Sequence, residues 1–330
     1  MKLQVPFIQL PLQFDAAALA AEIAALGEDA WRPHPQGYPG NSALTLVTTG
    51  GDADSDAVTG VMQPTPYLLR CPYLMQVMAS LGAVWGRSRL MRLSGHAEVT
   101  PHVDINYYWR ERVRVHVPIV TQPTVRFRCG DADIHMAAGE CWIFDTWRLH
   151  QVINDAERAR IHLVADTVGG EGFWSLIGQG RAPGIPKPGW QAQPVPPRDG
   201  AAALMFEAVN VPRVMSPWEL REHLAFLIDE SQPAPALGPI QQASGRFTRN
   251  WQALWARYGE DRGGWPDYRR LLDVFVEEVT PHARTVTLRN GNPLLPALNG
   301  IVVLSALSDR AAIADAETRN PAQALAGGAS

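Results

Sequence analysis

Three side chains in the middle of the chain have the types and spacing of a metal site: His102, Asp104 and His150. On an extended segment residues i and i+2 project from the same side, so the His102 imidazole and the Asp104 carboxylate can share one ion. A distant second histidine, His150, completes a set of two nitrogens and one oxygen. Such a set holds one face of Fe(II) and leaves other positions open for O2 and a co-substrate. It suits a redox-active iron better than a structural zinc, which prefers a closed shell. His-x-Asp by itself occurs by chance in many proteins, and a lone histidine beside a strand is more often structural than ligating. Arg160, ten residues after His150, adds weight. An anionic co-substrate on the metal needs a fixed cation for its far carboxylate, and arginine offers a two-pronged one. Arg160 sits in ARIHLVAD beside an apolar run, which favours a partly buried role over a surface salt bridge.

A second pattern lies between these residues. From Arg112 to Ile119 the chain alternates strictly: Val113, Val115, Val117 and Ile119 face one way, and Arg112, Arg114 and His116 the other. On composition alone the basic face is solvated and the strand half-exposed. The sharper reading puts that face inside a barrel, against an anion.

The elements that must position these groups follow from turn signals and periodicity. From Ser88 to Gly169 strands are expected at 89–93, 112–121, 125–128, 134–136, 141–144, 150–153 and 160–167, separated by turns such as Cys129-Gly130-Asp131 and Ala138-Gly139-Glu140. Many short strands with regular turns predict an all-β barrel or sandwich. Upstream, 4–13 and 43–48 read as strands. Residues 14–26, with Asp15 as N-cap and Gly27 as terminator, and 71–81, opened by Pro72, read as helices. Residues 179–200 carry six prolines and read as a linker or wrapping segment. Beyond them helical periodicity appears at 217–229 (N-cap Ser216), 247–258 and 268–279, and the tail from 311 reads as a weak helix fraying into disorder. The expected organisation is a β domain over 1–178 with an N-terminal α/β flank, a linker over 179–200 and a mainly helical region over 201–330.

Composition sets the outer bounds. The chain has 330 residues, 46% apolar and 19% charged, with a formal net charge of -4. That is an ordinary globular composition, and its acidity argues against nucleic acid as a partner. Three cysteines without close spacing exclude a disulfide framework and fit a reducing compartment, so a cytoplasmic location is expected. The N-terminus lacks the pattern of a signal peptide, and no stretch has the length and apolarity of a membrane span. Oligomeric state is left open.

Several pieces recur together in a known order. HVD at 102–104, RVHVPIVT at 114–121, AGECWIFD at 138–145, His150, and the run from Asn154 through RIHLVAD to Asp166 resemble the aspartyl/asparaginyl β-hydroxylase family of Fe(II)- and 2-oxoglutarate-dependent oxygenases. The resemblance is specific over about residues 88–168, looser before them, and slight in the C-terminal region. It implies a mainly β fold with flanking helices around a double-stranded β-helix (jelly-roll or cupin-like) core. It implies His102 and His150 as iron ligands, Arg160 and His116 as partners of the 2-oxoglutarate C5 carboxylate, and Arg114 as a cation near co-substrate or substrate. Asp104 departs from the animal members, which lack the carboxylate ligand, and matches bacterial relatives that include free-proline hydroxylases. The implied activity is hydroxylation of an amino acid, aspartate/asparagine-like or proline, free or in a peptide, with release of succinate and CO2. Three extra residues before the Arg-x-His pair suggest a different substrate loop at Asn106–Arg112.

Other residues stay open. His96 and His162 could border the site, with turn and packing roles as the plainer readings. His135 reads as a surface residue of a strand. Asp145 could orient a ligand histidine or cap a turn. Tyr107, Tyr108 and Trp109 could form a substrate wall or a buried anchor. Trp142, Phe144 and Trp147 read first as core, and Asn41 and Ser42 could lie at the site's edge. Competing functions are a hydroxylase of a natural-product intermediate that is not an amino acid, a non-catalytic metal-binding β-barrel, and a cupin-type isomerase or dioxygenase that uses no 2-oxoglutarate.

Overall fold

A computed structural model describes residues 1–34, 37–200 and 202–308, so the expectation for the tail from 311 lies outside the described residues. The chain divides into two compact units. One comprises 1–104 with 111–208, the other 105–110 with 209 onward.

The first unit is built on strands β1 (Phe7–Phe14), β2 (Arg32–Pro33), β3 (Asn41–Thr49), β4 (Met62–Pro64), β5 (Val84–Leu93), β6 (Glu98–His102), β7 (Val113–Val120), β8 (Val125–Cys129), β9 (Ala132–Ile134), β10 (Glu140–Phe144), β11 (His150–Asn154), β12 (Arg160–Gly169), β13 (Gln193–Val195) and β14 (Met205–Phe206). The large sheet runs β13-β1-β10-β7-β12-β5-β3-β2, with β4 added on β3 and β14 on β5. The small sheet runs β6-β11-β8-β9. Pairing is antiparallel except where β13 joins β1 and β14 joins β5. Chain-distant strands lie side by side in both sheets, as β1 beside β10 and β6 beside β11, which is the double-stranded β-helix arrangement expected from the sequence.

Aromatic side chains from the two sheets meet in the core between them. Phe7, Trp142 and Phe144 come from the large sheet, and Phe127, Cys129 and Val152 from the small one. The Phe7 and Phe127 rings pack edge to face with centroids 5.5 Å apart. On the outer face, helix α1 (Ala16–Ala24) packs over β7 and buries Leu19 and Ile23. Asp15 caps it, accepting from Ala18 N at 3.0 Å.

Two differences from the sequence reading matter for the site. β6 was not expected, because EVTPH combines a proline with few apolar residues; Pro101 is tolerated because the strand is an edge. Residues 179–200, read as a linker or a wrapping segment, take the second form and run along the first unit, which extends past the boundary expected at 178. There Gln193–Val195 pairs with Leu12–Phe14, and the Tyr73 hydroxyl donates to Val195 O at 2.5 Å.

The second unit is helical, with long helices at Pro217–Asp229, Leu237–Tyr258 and Trp265–Ala283 and a short one at Leu294–Leu298. Its core stacks Phe247 on Phe275 at 4.2 Å, and Trp251 lies against Tyr268 at 4.6 Å. The Trp251 indole donates to Met215 O at 2.8 Å. No described helix is long and apolar enough to cross a membrane.

Candidate metal centre

β6 and β11 bring the two histidines together. His102 and His150 are directly opposed across the strand pair, with ring centroids 4.1 Å apart. Each Nδ1 faces the carbonyl oxygen two residues earlier, Thr100 O at 2.8 Å and Arg148 O at 2.9 Å. A carbonyl can only accept, so Nδ1 carries the proton and Nε2 is left for a metal. Asp104 follows His102, its backbone N–H donating to Thr146 O at 3.2 Å. One donor atom from each of His102, Asp104 and His150 lies within 4.8 Å of the others. Burial holds the His150 imidazole down to about 4, so it is neutral at physiological pH. Burial alone would raise the Asp104 carboxyl, but the Arg114 guanidinium, with His150 and His102, holds it below the ordinary carboxylate value. A neutral imidazole and an ionised carboxylate are the forms that bind a cation.

The inner face of the large sheet lies alongside. Register places Arg114 opposite Asp166, His116 opposite Val164, and Pro118 opposite His162. The sharper reading of the basic strand therefore holds: Arg114 and His116 point inward, and the solvated alternative fails because Val113, Val115 and Val117 are also buried. Arg114 differs from expectation in its partners. Its Nη1 donates to Asp104 Oδ2 at 2.7 Å and its Nε to Asp166 Oδ1 at 2.9 Å, two carboxylates of this chain. It positions the Asp104 carboxylate.

Arg160, His116 and His162 differ from Arg114. All are buried, and Arg160 Nε and Nη2 and both ring nitrogens of His116 and His162 have no hydrogen-bond partner among the described residues. Burial lowers the Arg160 guanidinium to about 9. Burial first, then the Arg160 charge, holds both imidazoles neutral, well below their usual value. A buried cation without a counter-ion, beside two orphaned imidazoles, is a site shaped for an anion. Phe144 connects it to the metal ligands, its ring 5.3 Å from His116 and 4.9 Å from His150.

The remaining expectations sort by geometry. His96 sits at a turn with φ 56° and donates its N–H to Ala156 O at 3.1 Å. The His135 ring meets Val125 O at 3.0 Å. Asp145 caps its own turn, accepting from Trp147 N at 3.0 Å and Arg148 Nε at 3.0 Å, and orients no ligand histidine. Residues 107–111 form a short helix, not a loop, and Tyr107 donates to Glu219 at 2.6 Å, which makes the aromatic cluster an anchor of the second unit. Asn41 is buried opposite Leu93, while Ser42 accepts from Arg92 at 3.0 Å. Sequence reasoning missed the role of Asp166 as partner of Arg114; the alternation Arg160, His162, Val164, Asp166 carried the signal for it.

Residues 43–169 match the family model described as aspartyl/asparaginyl β-hydroxylase, a span that includes every residue of this site. That segment is therefore similar to members of the aspartyl/asparaginyl β-hydroxylase family. A curated relative, L-proline cis-3-hydroxylase 1 from Streptomyces sp, is 31% identical over 128 residues, which is 36% of this chain. The chain spans 43% of that relative's length. Among solved structures, a Pseudomonas putida prolyl-4-hydroxylase is 16% identical and overlays 50% of this chain and 92% of its own at a TM-score of 0.35. HygX from Streptomyces hygroscopicus, with nickel and 2-oxoglutarate bound, is 11% identical over 51% of this chain and 84% of its own, also at 0.35. The double-stranded β-helix arrangement stands on the strand pairing, not on overlays at these scores.

Proposed function

We propose that the chain is an Fe(II)- and 2-oxoglutarate-dependent oxygenase that hydroxylates an amino acid, free or within a peptide. His102, Asp104 and His150 would hold the iron. Arg160, assisted by His116, would engage the distal carboxylate of 2-oxoglutarate. The observation that carries this reading is the pairing of a three-ligand cluster with an adjacent buried arginine that has unpartnered nitrogens. A metal-binding barrel without catalysis, or a cupin enzyme without 2-oxoglutarate, would give Arg160 no reason to stay uncompensated. Bound together, iron and 2-oxoglutarate would supply O2 activation coupled to decarboxylation to succinate and CO2, with an oxygen atom inserted into a C–H bond.

The chain's own contribution is placement. The Thr100 and Arg148 carbonyls fix the ring orientation of the two histidines. Arg114 holds Asp104 ionised and restrains its rotation. Phe127 and Phe144 wall the space around His116 and His150 and exclude water, which strengthens charge interactions there. The name of the L-proline cis-3-hydroxylase relative supports testing a free amino acid such as proline first. The three buried free thiols support a cytoplasmic location, and the acidic balance gives no reason to invoke nucleic acid.

The test is succinate release in the presence of Fe(II), 2-oxoglutarate and O2 against a panel of amino acids and peptides, with product mass gain. His102→Ala should abolish both iron binding and succinate release. Turnover that survives in that variant after chelation would reject the assignment.

A further inference from the structure

Arg89 is a second buried arginine on the inner face. It lies on β5 opposite Val164 on one side and Thr45 on the other, in the row that begins with His116. At ordinary strand spacing, two strands from His116 is about 10 Å. Arg89 is 9% exposed and makes no hydrogen bond or ion pair with any described residue. The carboxylates in electrostatic reach are Asp166 and Asp56. Asp166 is bonded to Arg114 at 2.9 Å, and Asp56 lies 3.5 Å from Arg32. Burial and the charges of Arg87 and Arg114 outweigh them and lower the Arg89 guanidinium to about 9.

The cluster around Arg89 adjoins the metal ligands. The His34 ring lies within electrostatic reach of Arg89, Arg87 and His102. Arg87 donates to the Asp56 carbonyl at 3.4 Å. The anion required by Arg89 is separate from the one required by Arg160. Arg160 pairs with Leu93, four residues from Arg89 along β5, or about 13 Å of strand. Neither arginine is among the charges acting on the other.

We propose that Arg89 anchors a carboxylate of the molecule that is hydroxylated. This inference rests on the oxygenase reading above. A buried guanidinium without a protein counter-ion is retained where a ligand supplies one, and arginine receives a carboxylate on two parallel N–H groups. Arg114 is occupied by Asp104 and Asp166, whereas Arg89 has no carboxylate bonded to it among the described residues. The carboxylate is either the α-carboxylate of a free amino acid or the side-chain carboxylate of an acidic residue in a peptide.

The experiment uses the full chain with Fe(II), 2-oxoglutarate and O2. It reads stimulated succinate release for free L-amino acids, their carboxamides, and terminally blocked peptides with an internal aspartate. The expected result is an acid whose carboxamide has a KM higher by about 100-fold, as for a lost charge-assisted hydrogen bond. Arg89→Met should raise the KM of the acid to that of the carboxamide, and Arg89→Lys should recover part of the loss. A response to free acids assigns the α-carboxylate, and a response to aspartyl peptides alone assigns the side chain. A carboxamide as good as its acid, or an Arg89→Met variant that keeps the preference for the acid, overturns the proposal. Silence from every compound with wild-type protein is a failure of the oxygenase reading instead. A second readout decides even then: the melting temperature of the metal-free protein. Removing an uncompensated buried charge should raise it by about 2–4 °C in Arg89→Met. A fall would assign Arg89 a structural role and sink the proposal.

Discussion

Two buried arginines of the large sheet, Arg114 and Arg160, sit on neighbouring strands and point into the same interior, yet their surroundings are opposite. Arg114 on β7 bonds two carboxylates, Asp104 and Asp166. Arg160 on β12 has unpartnered nitrogens and only burial acting on it. The contrast separates two uses of one side chain. Arg114 belongs to the protein's internal charge balance and serves the metal site through Asp104. Arg160 has no counter-ion among the described residues. The Arg114 side chain keeps 11% exposure and Arg160 3%, so the main difference is whether the chain itself supplies the anion.

The largest expected effect comes from breaking the balanced side. Arg114→Leu leaves Asp104 and Asp166 buried without their cation, and should cost about 3–5 kcal/mol of folding stability. Urea unfolding of the metal-free protein measures this. The same variant should lose metal, because Asp104 is no longer held ionised and oriented. A cost under about 1 kcal/mol would mean that Arg114 does not organise the two carboxylates.

Next in size is the pH dependence of the incomplete side. His116 and His162 are held neutral by burial first and by Arg160 second. In the unfolded chain they take up protons near the ordinary histidine value, whereas in the folded chain they do not. Below that value the unfolded state binds more protons, so stability is full above about pH 6.5 and falls as pH decreases from there. Each ring contributes about 1.4 kcal/mol per pH unit over that window. His162→Leu should reduce the slope by one such step in chemical denaturation of the metal-free protein between pH 7.5 and 5.5. An unchanged slope would show that His162 is protonated, or exposed, in the folded state.

How far the sequence reveals this contrast depends on the kind of signal. The candidate ligand set was readable because types and spacing point to it: an i, i+2 pair and a distant histidine suggest three residues that the structure brings within 4.8 Å of one another. The inward face of β7 was readable as one of two choices, because alternation fixes which residues share a face but not which face is buried. The partners of Arg114 were not readable. Asp166 lies 52 residues away, and only the antiparallel register of β7 on β12 brings the two together. Arg89 was hidden for the same reason, since its lack of a partner is a property of three adjacent strands. β6 escaped because Pro101 and polar neighbours obscure an edge strand. The helical unit was legible as helices from Ser216 and Pro217 onward, while its inclusion of residues 105–110 was not, because the Tyr107–Glu219 bond spans 112 residues.

A smaller stability effect, but a sharper functional one, is expected on the incomplete side. Arg160→Met removes a charge that the protein does not balance, so stability should hold or rise by about 1 kcal/mol. The metal-loaded variant should at the same time lose the thermal stabilisation that 2-oxoglutarate gives the wild type, which mass action ties to binding. If Arg160→Met destabilised the protein as much as Arg114→Leu, the two arginines would have the same role and the comparison would fail.

The smallest effect tests whether burial or the number of ion pairs makes Arg114 matter. Asp133 is the mirror image of Arg114: one carboxylate holding two arginines, Arg126 at 2.8 Å and Arg128 at 3.2 Å. The number of bridges is the same, but Asp133 and Arg126 are each 37% exposed and Arg128 is 51% exposed. Water already solvates all three groups, and salt screens what attraction remains. Asp133→Asn should therefore cost about 0.2–1 kcal/mol, and most of that should vanish in 0.5 M salt. Urea unfolding at low and high salt, run beside Arg114→Leu, makes the comparison direct. A loss at Asp133 that rivals the loss at Arg114 and survives salt would mean that bridge count, not desolvation, sets the energy. Arg114 would then lose its claim to be more than another ion pair.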